Sequence, residues 1–115
     1  MDGKSNTQKR QYYRLKYPNL ARPSIHFKGN LYPVSEISEK GIRILIEGCC
    51  DLLYTGLDVI GTLNLHNDNQ IHIEGTVSRI DDDEVILQLT RGPSFRDMLL
   101  EQRYIHNKYP TFFNK

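Results

Sequence analysis

Apolar residues at every second position recur through the middle of this chain, and that period leaves few choices of fold. Ile42, Ile44 and Ile46 alternate with Arg43, Leu45 and Glu47, while Ile71, Ile73, Gly75 and Val77 share one parity opposite His72, Glu74, Thr76 and Ser78. Successive side chains on a strand point to opposite faces, so each run builds a strand with one face toward a core. Ser24 to Lys28, Leu31 to Ile37, Asp58 to His66 and Val85 to Leu89 read the same way. Turn chemistry separates them: Gly29-Asn30 is a hairpin dipeptide, and Asn67-Asp68-Asn69 and Asp81-Asp82-Asp83 close two further turns. Short strands with frequent turns define a small antiparallel barrel or sandwich rather than a parallel sheet.

The period changes after Gly92-Pro93. Ser94 and Asp97 have the spacing of a capping box, and Phe95, Met98, Leu99, Gln102, Ile105 and Tyr109 follow helical spacing until Pro110. This C-terminal helix, about residues 94–109, is expected to dock Phe95, Met98, Leu99 and Ile105 on the barrel. Its aromatic tip, Tyr104 to Phe113, is suited to contact with a second copy in a homodimer.

At 115 residues the chain suits one domain with a modest core. Residues 1–8 are polar and aperiodic, a disordered lead-in; the single domain is expected over 9–115, with a basic loop at 9–18 and the barrel at about 22–90. The chain has neither an apolar run long enough to span a bilayer nor a signal-like opening, so a cytoplasmic protein without a membrane partner is expected. Cys49 and Cys50 are adjacent, and a bridge between them would close a strained ring; they read as reduced thiols.

No catalytic motif is visible. His26, His66, His72 and His106 lie on different elements without metal-site spacing and read as surface histidines. The three consecutive aspartates cannot all point toward one cation and read as a solvated turn. The expectation is a non-enzyme without metal or cofactor.

What stands out is Lys9-Arg10-Gln11-Tyr12-Tyr13-Arg14-Leu15, a basic cluster in a chain of net charge +1. Arg10 and Arg14 form RxxxR. The planar arginine fork donates paired bonds to a phosphate or to guanine O6 and N7, and its flat face stacks on a purine. Two forks four positions apart on an extended segment are separated by roughly 13 Å. Basic residues interleaved with Tyr12, Tyr13 and Tyr17 also suit single-stranded nucleic acid, but the near-zero net charge disfavours such a partner.

Downstream lies a second element, Glu36-Ile37-Ser38-Glu39-Lys40-Gly41, and later Gly75-Thr76-Val77-Ser78-Arg79. RxxxR, then [DN]xSxxG, then GxVxR, followed by a C-terminal helix, resembles the PilZ domain, the bacterial receptor module for cyclic di-GMP. The resemblance covers roughly residues 9–109. It implies an all-β fold with one helix, a small antiparallel six-stranded split β-barrel plus the C-terminal α-helix. It also implies a cyclic di-GMP receptor whose N-terminal loop folds over the ligand and signals to a protein partner.

At the matched positions the resemblance implies that Arg10 and Arg14, with Lys9 beside them, hold guanine and phosphate. Glu36 and Ser38 would bond the guanine edge, Gly41 would permit a tight strand turn, and Arg79 would stack on a base. Glu36 stands where the family places Asp or Asn and carries its oxygens one methylene farther out. That departure favours the alternative function, a degenerate interaction module that does not bind the nucleotide.

Overall fold

The structure is a computed structural model and describes residues 13–46 and 53–112. The lead-in at 1–8, Lys9, Arg10, Cys49, Cys50 and Phe113 lie outside the described residues. The strands are β1 (Leu15–Lys16), β2 (Ser24–Phe27), β3 (Asn30–Ile37), β4 (Gly41–Leu45), β5 (Asp58–Asn64), β6 (Gln70–Asp81) and β7 (Glu84–Arg91), followed by the helix α1 (Phe95–Lys108).

All pairings are antiparallel, in the order β1-β3-β2-β5-β6-β7-β4. A further β3–β4 pairing closes β2 through β7 into a barrel. Closure removes the free edges that an open sheet would expose. β1 lies outside the ring, on the edge of β3 beyond its pairing with β2. Of the segment expected as a basic loop, Leu15–Lys16 is therefore strand, too short to show a period in sequence.

The alternation sorts the residues as strand geometry requires. Leu15, Ile37, Ile42, Leu87 and Val77 pair in succession across β1, β3, β4, β7 and β6, and every one is buried. Each such side chain contributes roughly 1.5–3 kcal/mol relative to exposure. The next row, Lys16, Glu36, Arg43, Ile86 and Arg79, follows the same strands on the outer surface. Gly75 sits where β6 and β7 touch: an added Cβ would lie 2.3 Å from the Gln88 carbonyl oxygen, so no side chain fits.

Two expectations are corrected here. The first hairpin turns at Lys28-Gly29, one residue before the expected dipeptide, with φ of 52° and 81°. Ile25 and Phe27 both face inward, which carries β2 to Phe27; Phe27 then pairs with Asn30, leaving Lys28 and Gly29 as the turn. A type I′ hairpin turn needs positive φ at both positions, and the strand twist makes even lysine adopt it.

Of the helix face expected against the barrel, Met98 and Ile105 are buried, but Phe95 and Leu99 are not. Ser94 and Asp97 do form the capping box, with Ser94 N–H donating to Asp97 Oδ2 at 2.9 Å and Asp97 N–H to Ser94 Oγ at 3.1 Å. However, the side chains buried against the barrel are Met98, Glu101 and Ile105, whereas Phe95 and Leu99 face outward. The i, i+3, i+7 row through position 101 lies down because its carboxylate finds donors on the barrel.

Candidate functional site

Arg14 is brought to Glu36 by the β1–β3 register. Leu15 pairs with Ile37 and Lys16 with Glu36, so Arg14 leaves the end of β1 beside the end of β3. Its guanidinium lies 3.8 Å from the Glu36 carboxylate, with the side chains 48% and 13% exposed respectively. At that distance and exposure the pair contributes little to stability and leaves the arginine donors accessible.

A β-bulge aims Glu36. Val34 pairs with Ile44 and Glu36 with Arg43, so Ser35 is the extra residue in β3. Bulges of this kind turn a side chain out of the regular pleat. Arg43, a neighbour that sequence spacing did not single out, donates to Glu84 at 2.7 Å.

Ser38 and Gly41 form the turn that leads from β3 to β4. The Ser38 hydroxyl donates to the Gly41 carbonyl at 3.1 Å and accepts from the Lys40 amide at 3.3 Å, and Ser38 N–H donates to Gly41 O at 2.8 Å. Serine therefore shapes the turn itself. Gly41 does not occupy the left-handed region. What glycine supplies is space: an added Cβ would stand 3.3 Å from the Leu87 carbonyl oxygen and 3.7 Å from Ser38 Oγ.

Arg79 lies in the same outer row as Glu36, three strands away, or about 14 Å at ordinary strand spacing. Its Nε is 2.8 Å from Asp81 Oδ2. The structure thus brings together Arg14, Glu36 and the Ser38–Gly41 turn, and places Arg79 at the far end of the strip. A polar depression of about 630 Å³ opens beside the turn, lined by Glu39, Lys40, His72, Thr90 and Arg91 among others. Arg14, Glu36 and Ser38 do not line it.

Behind this face is a cluster that sequence reasoning missed. Tyr17, three positions after Arg14, is buried, and its hydroxyl donates to Glu101 Oε1 at 2.5 Å. Glu101 is 2% exposed and also accepts from the His66 amide at 3.0 Å, while His66 Nδ1 lies 2.8 Å from Oε1. The His66 ring stacks on Tyr104 with centroids 4.0 Å apart. Burial, the nearby Glu101 charge and the bond to it hold the Tyr17 phenol far above the usual tyrosine range. His66 is therefore not a surface histidine, while His26, His72 and His106 are exposed.

The readable signal was Glu101 itself, a carboxylate on the apolar stripe between Met98 and Ile105. Asn69 adds a second tie, donating to Asp97 at 3.0 Å, so the β5–β6 turn holds the first half of the helix. The Asp97 carboxyl is pulled up by partial burial, but bonds from Ser94 and Asn69 outweigh this and hold it below its ordinary value.

Among the described residues no group of three His, Cys, Asp or Glu side chains is placed to hold a metal ion. No helix among them is long and apolar enough to cross a membrane.

A closed antiparallel barrel with a basic strand on its edge, a serine-glycine turn beside it and one C-terminal helix defines a known class of domain. The family model of the PilZ domain matches residues 8–106, and the chain belongs to that family. The fold is similar to the PilZ domain of Escherichia coli YcgR, solved with c-di-GMP (TM-score 0.69, 13% identity, 90% of this chain and 98% of that one). It is also similar to the Bacillus subtilis inhibitor of motility MotI/DgrA (TM-score 0.66, 20% identity, 91% and 54%). The K. pneumonia MrkH–c-di-GMP complex is a further relative in fold (TM-score 0.62, 14% identity, 94% and 56%). The chain thus spans about half the length of MotI/DgrA and of MrkH. No curated protein matches the sequence.

Proposed function

We propose that this protein is a non-catalytic receptor for cyclic di-GMP. The observation that carries the reading is the convergence of Arg14, Glu36 and the Ser38–Gly41 turn on one outer face, at the motif positions of a family in which solved structures hold that nucleotide. Arg10 and Arg14 act as forks on phosphate and guanine, with Lys9 adding charge, because a dianion with purine faces is what guanidinium groups recognise best. Glu36 exchanges its long contact with Arg14 for a guanine N–H. Ser38 holds the turn and offers its remaining bonding capacity to the same edge, and Gly41 keeps that approach open. Arg79 is reached only by a ligand that extends along the strip.

In this reading residues 9–14 close over the ligand, and the change in that surface is what a protein partner reads. The reading also places the chain in the cytoplasm, as one domain over 9–115. A second reading, an interaction module that has lost the nucleotide, is favoured by one observation: Glu36 already engages Arg14. Isothermal calorimetry with cyclic di-GMP, using GTP and GMP as controls, separates the two. Saturable binding of cyclic di-GMP alone is expected; no binding at high micromolar ligand removes the receptor reading.

A further inference from the structure

The helix α1 turns its polar and apolar residues the wrong way round for a simple docked helix. Its carboxylates, Asp97 and Glu101, are both committed on the barrel side, to the cap and Asn69 and to Tyr17 and His66. The opposite side carries Phe95, Leu99 and Leu100, which are 64%, 41% and 41% exposed, together with exposed Arg96 and Arg103. At 100° per residue these five span one continuous outward arc, and no acidic residue falls within it.

Single exposed apolar residues are ordinary, but three within six positions on one helix face, set around two guanidinium groups, make a patch with a sign. Three occupants are conceivable, and charge chooses among them. An isologous helix pair with a second copy would set Arg96 against Arg103 of that copy, so like charges would oppose the contact. An anionic membrane surface draws in clusters of several basic residues, and two arginines on a chain of net charge +1 supply little of that attraction. An acidic protein segment with apolar anchors matches both components at once.

We propose that the outer face of α1 is a docking surface for an acidic amphipathic helix of a partner protein. Phe95, Leu99 and Leu100 receive its apolar anchors, and Arg96 and Arg103 pair with its carboxylates. The existence of a protein partner rests on the receptor reading; the surface rests on its own geometry.

The test is a fluorescence-anisotropy titration of the full chain with a labelled helical peptide carrying Leu at i, i+3, i+4 and i+7 and Glu at its other surface positions. A matched peptide with Lys in place of Glu is the control. Saturable binding of the Glu peptide alone is expected, weakened about tenfold or more by R96E/R103E and by Leu99→Ser, and weakened by salt. The proposal is overturned if the Glu peptide binds no better than the Lys peptide, or if both variants bind it like the parent chain. It is also overturned if phosphatidylglycerol vesicles outcompete the peptide, or if sedimentation shows self-association that Leu99→Ser abolishes.

Calorimetry with cyclic di-GMP on the same samples keeps the two readings apart. A chain that binds nucleotide but not peptide overturns the surface alone. One that binds peptide but not nucleotide keeps the surface and removes the receptor.

Discussion

Arg14 and Tyr17 are three positions apart on one segment and are held in opposite ways. Arg14 is half-exposed and lies at a long 3.8 Å from Glu36, whereas Tyr17 is buried and spends its hydroxyl on a buried carboxylate. The difference shows how one segment can present an accessible side chain and still be anchored to the fold three positions later. β1 and Tyr17 form the tied end, with Tyr17 N–H also donating to Ser35 O at 3.0 Å. The tie reaches α1, so the segment that carries Arg14 is joined through Tyr17 to the helix.

The tied end should break hardest. Glu101→Ala leaves the Tyr17 hydroxyl and both His66 groups without their acceptor and is expected to cost about 3 kcal/mol or more of folding stability, read by urea unfolding. Tyr17→Phe removes one hydroxyl bonded to a charged group and should cost about 2 kcal/mol by the same measurement.

The same residue predicts an alkaline weakness. The Tyr17 phenol titrates higher in the fold than its ordinary 10.0, so above that pH the native state binds more protons than the unfolded chain. Stability from this group is complete below about pH 10 and falls as pH rises beyond it, by up to about 1.4 kcal/mol per unit. Tyr17→Phe should lack that component in urea titrations between pH 9 and 11.

At the loose end the pattern reverses. Arg14→Ala should change stability by less than about 0.5 kcal/mol while weakening cyclic di-GMP binding by about 2 kcal/mol, a loss calorimetry reads directly. Glu36→Asp, which restores the family's residue type, should alter affinity by no more than about 1 kcal/mol, toward tighter binding. If Arg14→Ala proved more destabilising than Tyr17→Phe, the contrast between the two ends would be wrong.

The strands of the barrel were legible because their information is local: in β4 and β7 each inward Ile, Leu or Val sits two positions from the next, and turn residues separate the runs. The helix start was legible for the same reason, through Ser94 and Asp97. What was not legible depends on partners far away in the chain. The Tyr17–Glu101 bond joins positions 84 residues apart, so the carboxylate on the apolar stripe was visible in the sequence but the partners that draw it inward and leave Phe95 and Leu99 outside were not. Likewise the bulge at Ser35, which aims Glu36, is a property of β3 and β4 together. The motif residues at 14, 36, 38 and 41 were readable by resemblance, but the reason for Gly41 appears only once Leu87 stands opposite it.

Backbone hydrogen exchange with and without cyclic di-GMP tests the loose and tied ends together. The account predicts that the ligand slows exchange across residues 9–14 and leaves the already protected Tyr17 amide unchanged. Equal exchange in residues 9–14 at saturating nucleotide, or a ligand-dependent change that begins at Tyr17, would contradict it.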